Sequence, residues 1–256
     1  MTTTGPLALD LALASAALLG FRHGLDYDHV AAISDIATIQ PDSRQAMKLG
    51  LMYAVGHAAT VAALGLAVIS LQLSLPTGMD EWMEHLVGVT LVLLGIYVLW
   101  TAIFRRHTDD PRQWPRTRIT ILIDAIFWCV WRLRRAFTSK PMERYRAIGH
   151  GMGKTPAIVV GVVHGLGAET PSQLLLFLLA ANLGGVGKGI LGLAAFIGGM
   201  LAMNALICAG AAGLLRIASR QQSIFPWVAG LSAVYSIAVG VVFLAGTSTV
   251  AAALGR

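Results

Sequence analysis

The sequence predicts an all-α, polytopic membrane protein of about six transmembrane helices, with a broken or tilted first element and a basic cytoplasmic middle loop. Three observations predict it. Hydrophobic residues fill 56% of the 256 positions and charged ones only 12%, with a mean hydropathy of +0.69; a soluble domain is about a quarter charged. Apolar runs recur at the length of a bilayer crossing, for which roughly 20 helical residues suffice. Lysines and arginines gather in the connections between those runs. A net charge of +6 alone suggests nucleic acid, but its concentration in one loop between apolar segments argues against that partner. Cys129 and Cys208 fit no ribbon, redox or disulfide spacing. The first residues, Met1 to Pro6, lack the basic start of a cleaved signal, and Asp10 interrupts the apolar run that follows.

Taken in order, the first element runs over residues 7–39, too long for one straight crossing, with Gly20 and Gly24 as its expected break points. Pro41-Asp42-Ser43 reads as a turn and helix start. Residues 49–71 form the second span, 73–85 a short loop carrying Asp80, Glu81 and Glu84, and 86–104 the third span. Residues 105–155 form the basic loop. Its apolar stretch at 119–131 is too short to cross, so the expectation is an amphipathic surface helix with Trp128 and Trp131 at headgroup level. Spans at 156–181, 190–215 and 227–245 complete one transmembrane domain over 1–256. The glycines at 161, 165, 184, 185, 198 and 199 read as helix-packing contacts. With 105–154 in the cytoplasm, Arg44, Lys48, Arg216 and Arg220 fall on the same side, which predicts both chain ends outside.

The chemistry concentrates in His23-Gly24-Leu25-Asp26-Tyr27-Asp28-His29. Ionisable side chains inside a bilayer are expensive and by default functional, and imidazole with carboxylate suits a divalent transition metal. On a straight helix His23, Asp26 and His29 share one stripe, whereas Asp28 lies ~140° round from His23. Either Asp26 is the carboxylate ligand, or the helix is distorted so that Asp28 joins. Counting rise from the span ends puts His23, His57, His164 and Asn204, from four spans, at similar depth in the inner half of the membrane. A shared polar site explains that coincidence. The alternatives are an interfacial anchor at Arg22-His23, a packing role for His57, and mutual pairing of His164, Glu169 and Asn204.

These residues resemble the nickel/cobalt transporter (NiCoT) family, whose H-x4-D-H signature is met by His23, Asp28 and His29, with Arg22 and Asp26 also matching. Gly56-His57, the stretch from Leu166 through Glu169 and Thr170 to Gln173, and Phe196 to Met200 leading to Asn204 echo three further family motifs in the same order. The chain departs from the pattern at Ser34-Asp35, Glu169, Gln173 and Asn204, carries His164 where an apolar residue is usual, and has fewer spans than the family's eight. The resemblance implies passage of Ni2+ or Co2+ across a cell membrane, plasma or bacterial inner, by a protein that is not an enzyme. His23, Asp26, Asp28, His29 and His57 are the expected metal residues; His164, Glu169, Thr170 and Asn204 line the route or support the ligands. No cofactor is expected beyond the transported ion. A homo-oligomer or a cytoplasmic accessory protein is left open as a partner. Export of the same metals, and an intramembrane zinc-dependent hydrolase with Glu169 as base, stand as the alternatives. No G-x-x-x-x-G-K-[ST] motif is present, so ATP hydrolysis is not expected.

Overall fold

The break in the first element sits at Gly24-Leu25-Asp26. There the backbone ladder switches from Gly24 N donating to Gly20 O, to Leu25 N donating to Arg22 O and Asp26 N to His23 O, each at 2.9 Å. Asp26 is extended (φ −60°, ψ 154°), and a new helix starts behind it. The computed structural model describes residues 6–40, 42–71, 79–105, 128–129, 131–132, 135, 153–167, 185–218 and 224–246. Its helices are α1 (Pro6–His23), α2 (Tyr27–Thr38), α3 (Ser43–Leu71), α4 (Met79–Arg105), α5 (Lys154–Gly167), α6 (Val186–Ala218) and α7 (Phe225–Ala245), with no strand among the described residues.

Gly20 is not a break point. It lies inside α1, where its missing side chain lets the Phe196 backbone of α6 come into contact; Gly199 does the same against Ala17. Of the other glycines, Gly161 and Gly165 seat α5 on the α3 backbone, whereas Gly198 faces open space, Gly185 takes φ +83° at the start of α6, and Gly184 lies outside the described residues. Asp42 caps α3, its Oδ1 accepting from Gln45 N at 2.8 Å. The expected loop at 73–85 is helical from Met79 onward. Glu81 stands in the first turn of α4, where negative charge complements the helix dipole. Within 105–155, Trp128, Cys129, Trp131, Arg132 and Arg135 are helical, with the two arginines over the two tryptophan rings at 5.2 and 5.3 Å. The remainder of the expected surface helix, and the second half of the span at 156–181, lie outside the described residues.

The close contacts fix the directions of the helices. Along α6, Phe196 meets Gly20, Met200 meets Gly24, and Cys208 meets Gly50 and, through it, Ile33. α1 and α2 therefore continue one broken crossing parallel to α6. α3 runs the other way, with Gly50 against Cys208 and Gly65 against Leu193. α5 follows α3, since Gly161 meets Tyr53 and Gly165 meets Thr60, and α4 opposes α7 through Gly88–Gly240 and Gly95–Ala233. Successive crossings thus alternate in direction.

Among the described residues, four helices (α3, Glu81–Ile103 of α4, α6 and α7) are long and apolar enough to cross a membrane. Their outer faces carry bare apolar side chains, such as Leu206, Leu231 and Trp227, the last 74% exposed. Such faces are stable against acyl chains and not against water. The chain is a multi-pass membrane protein.

Because the α3–α5 crossing has no room for a Cβ at Gly161, Gly161→Ala lowers stability by about 1–3 kcal/mol. Gly210→Ala, on an open face of α6, stays within about 1 kcal/mol of the wild type. Thermal unfolding of the two variants in the same detergent checks the contrast; equal midpoints would refute the packing.

Candidate metal centre

The helix break and the α3 crossing bring three imidazoles together. His23 ends α1, His29 sits on the first turn of α2, and His57 lies at the middle of α3; all three are buried. Ring centroids are 4.4 Å apart for His29–His57, 4.9 Å for His23–His29 and 5.6 Å for His23–His57. One ring nitrogen from each lies within 4.8 Å of the others, a group that can hold a metal ion.

The two carboxylates of the cluster stand behind the imidazoles. Asp28 Oδ1 is 3.1 Å from His29 Nδ1, and Asp26 Oδ2 is 3.0 Å from His23 Nδ1. A proton on each Nδ1 satisfies the carboxylate and turns Nε2 into the lone-pair nitrogen, the orientation in which carboxylates commonly hold metal-binding histidines. His29 Nε2 and both nitrogens of His57 are buried with no hydrogen-bond partner. Buried polar atoms of a native protein are almost always paired, so the lone pairs of His29 Nε2 and of one His57 nitrogen are an unmet demand for an electrophile. Asp28 is buried, whereas the Asp26 side chain is half exposed. The straight-helix stripe of His23, Asp26 and His29 does not form, because the break rotates α2 against α1.

His164 is placed differently. It is fully buried on α5, with Tyr53 Oη 3.1 Å from Nδ1 and Thr90 Oγ1 2.8 Å from Nε2. Thr90 spends its own proton on the Val87 carbonyl, 2.8 Å away, so it accepts from His164 Nε2–H, and Nδ1 accepts from the tyrosine. Both nitrogens are committed. Tyr53 stands between this histidine and the triad, its ring 6.2 Å from His29 and His57 and 5.5 Å from His164. Sequence reading missed both partners. Tyr53, four residues before His57, shares its helix face; Thr90 carries no such signal.

Asn204 is buried on the α6 face of Phe196, Met200 and Cys208, with both amide atoms unpartnered. Met200 meets Gly24 and Cys208 meets Gly50, so Asn204 lies between those two levels. Phe196 packs on His23 with centroids 5.5 Å apart. Glu169 and Thr170 lie outside the described residues.

The chain is similar to the urease accessory protein UreH of Bacillus sp. (strain TB-90), 23% identical over 158 residues that cover 62% of this chain and 58% of that protein. It is also similar to the cobalt transport protein NhlF of Rhodococcus rhodochrous, 29% identical over 174 residues that cover 65% of this chain and 48% of that protein. The chain thus spans about half the length of the curated relatives it matches. No family model matches, and no solved structure does.

Tyr53→Phe removes the donor to His164 and leaves a buried imidazole nitrogen unpaired, which costs about 1–3 kcal/mol of stability. Unfolding in detergent, variant against wild type, measures it. A variant as stable as the wild type would show that the bond contributes nothing.

Proposed function

We propose that this chain carries a divalent transition-metal ion, Ni2+ or Co2+, across the cell membrane, with His23, His29 and His57 as its ligands. The observation that carries this reading is the convergence of three buried imidazoles with His29 Nε2 and His57 unpartnered. The likeness to a cobalt transport protein supports it. Neutral imidazole suits Ni2+ and Co2+, whereas Mg2+ and Ca2+ prefer all-oxygen sites.

Asp28 and Asp26 orient His29 and His23 through their Nδ1 atoms, and Asp28 also places a negative charge beside the ion. Desolvating a dication is the main obstacle to crossing lipid; three nitrogen donors and an adjacent carboxylate replace part of its hydration shell. His57 comes from a different crossing than His23 and His29, so a relative movement of α3 against the α1–α2 break assembles or opens the centre. Asn204, and from the sequence Glu169 and Thr170, line the route. His164, with both nitrogens committed, fixes Tyr53 as a wall of the site.

Two consequences are measurable with radiolabelled Ni2+ in sealed proteoliposomes. His29→Ala abolishes protein-dependent flux, and Asp28→Asn weakens Ni2+ by about 10–100-fold, the usual effect of losing the group that orients a ligand. Flux in His29→Ala equal to the wild type would sink the assignment. Protonated imidazole cannot bind metal, so at fixed Ni2+ the wild-type rate falls as pH is lowered. A rate that rises on acidification would contradict imidazole ligation.

A further inference from the structure

Six residues beyond His29, or ~9 Å along the axis of α2, a second carboxylate is buried that the metal centre does not use. Asp35 has no exposed surface. Ser232 of α7 donates to its Oδ1 at 2.6 Å, while Oδ2 has no hydrogen-bond partner. Ser236, one turn further along α7 and fully buried, faces the same carboxyl with its hydroxyl otherwise unpaired. α3, α4 and α6 also pack on α2. The side chains that bear on the Asp35 carboxyl are the hydroxyls of Ser232 and Ser236.

A carboxylate anion withdrawn from water without a cation is compensated far too little by one hydroxyl hydrogen bond. The group therefore needs a positive charge of its own. A single carboxyl and two hydroxyls make too few donors for a second transition metal, but they are enough for a proton: Ser232 fills Oδ1, and Oδ2 is left to carry the hydrogen.

We propose that Asp35, with Ser232 and Ser236, is a proton site coupled to the metal centre, protonated while the three imidazoles are empty and deprotonated while they hold the dication. This rests on the metal-transport reading and names the counter-ion for it. The step breaks the O–H bond of the Asp35 carboxyl, releases the proton to water, and leaves the carboxylate to face the dication; metal departure reverses it. Coupling of two binding events is reciprocal, so a proton on Asp35 weakens the metal as much as the metal weakens the proton. Each dication that passes is then accompanied by a proton moving in the opposite sense.

The test uses the full-length protein in detergent, with infrared difference spectra on adding Ni2+ and calorimetry on the same samples. The carboxylic-acid C=O band reports only protonated carboxyls, so protons lost from imidazoles do not enter it. Expected is a band lost on Ni2+ addition in the wild type, absent throughout in Asp35→Asn, and shifted in frequency in Ser232→Ala, which removes the donor to Oδ1. In proteoliposomes an imposed pH gradient accelerates wild-type Ni2+ flux several-fold and leaves Asp35→Asn flux unchanged. A wild-type band that ignores bound Ni2+, or one that persists in Asp35→Asn, overturns the proton site alone. Should Asp35→Asn fail to fold, a band unmoved in Ser232→Ala overturns it equally. If calorimetry finds no Ni2+ binding in the wild type, the metal centre falls and the proton site with it.

Discussion

Lipid offers no hydrogen bonds, so every polar atom inside this bundle must be satisfied by the bundle itself or by what passes through it. Several of the buried polar groups obey the first alternative. His164 is matched on both nitrogens, Thr38 returns its hydroxyl to the Ser34 carbonyl, and Thr60 bridges to the backbones of α3 and α5. Among the others, two groups stand together. His29 Nε2, both nitrogens of His57 and one oxygen of Asp28 lie around a single point, and the free atoms of Asp35 and Ser236 lie around another. The cost of leaving such atoms bare is borne where a charged visitor can relieve it.

Glycine makes the approach of the imidazoles possible. A side chain at Gly161 or Gly165 would strike the backbone of α3 at Tyr53 and His57, the segment that carries the wall and one ligand of the centre. Gly20 and Gly24 give α1 and the break the same intimacy with α6. Without these crossings the helices would stand further apart, and three rings from three helices would not share one centre. The packing that lets helices associate in lipid, where burial of apolar surface supplies no driving force, is here also what sets the geometry of the site.

The sequence shows much of this and conceals a definite part. Alternating apolar runs and basic loops reveal the crossings, because a bilayer imposes length and charge rules that composition records directly. The break was legible from an apolar stretch too long for one span, but its position was shared between Gly20 and Gly24, since a glycine that packs and a glycine that bends look alike in a string. His23, His29 and His57 were legible as polar groups in apolar surroundings. The bend that turns Asp28 onto His29 depends on a backbone switch of three residues, which helical periodicity cannot anticipate. The partners of His164 come from α3 and α4, whose lateral order the sequence does not encode in any short pattern. Asp35 stood out only as a departure from a family motif; its meaning needed α7, almost two hundred residues away, to supply Ser232.

Charge arithmetic joins the two buried sites. Three neutral imidazoles contribute no charge, and Asp26 is half exposed to solvent, so its charge is largely screened. A dication among the histidines is then offset within the bundle by Asp28 alone, which leaves one positive charge uncompensated in a medium that tolerates little. Asp35 is seven residues from Asp28 on the same face of α2, close enough for its charge to be felt through the interior and too far to be a ligand. Ionised, it brings the occupied protein to neutrality; protonated, it leaves the empty protein with the single anion that His29 already attends. A fixed lysine or arginine beside Asp35 would lock it as an anion in both states and remove that adjustment. Two serines, which bind either form of the acid, keep it free to change with the ion.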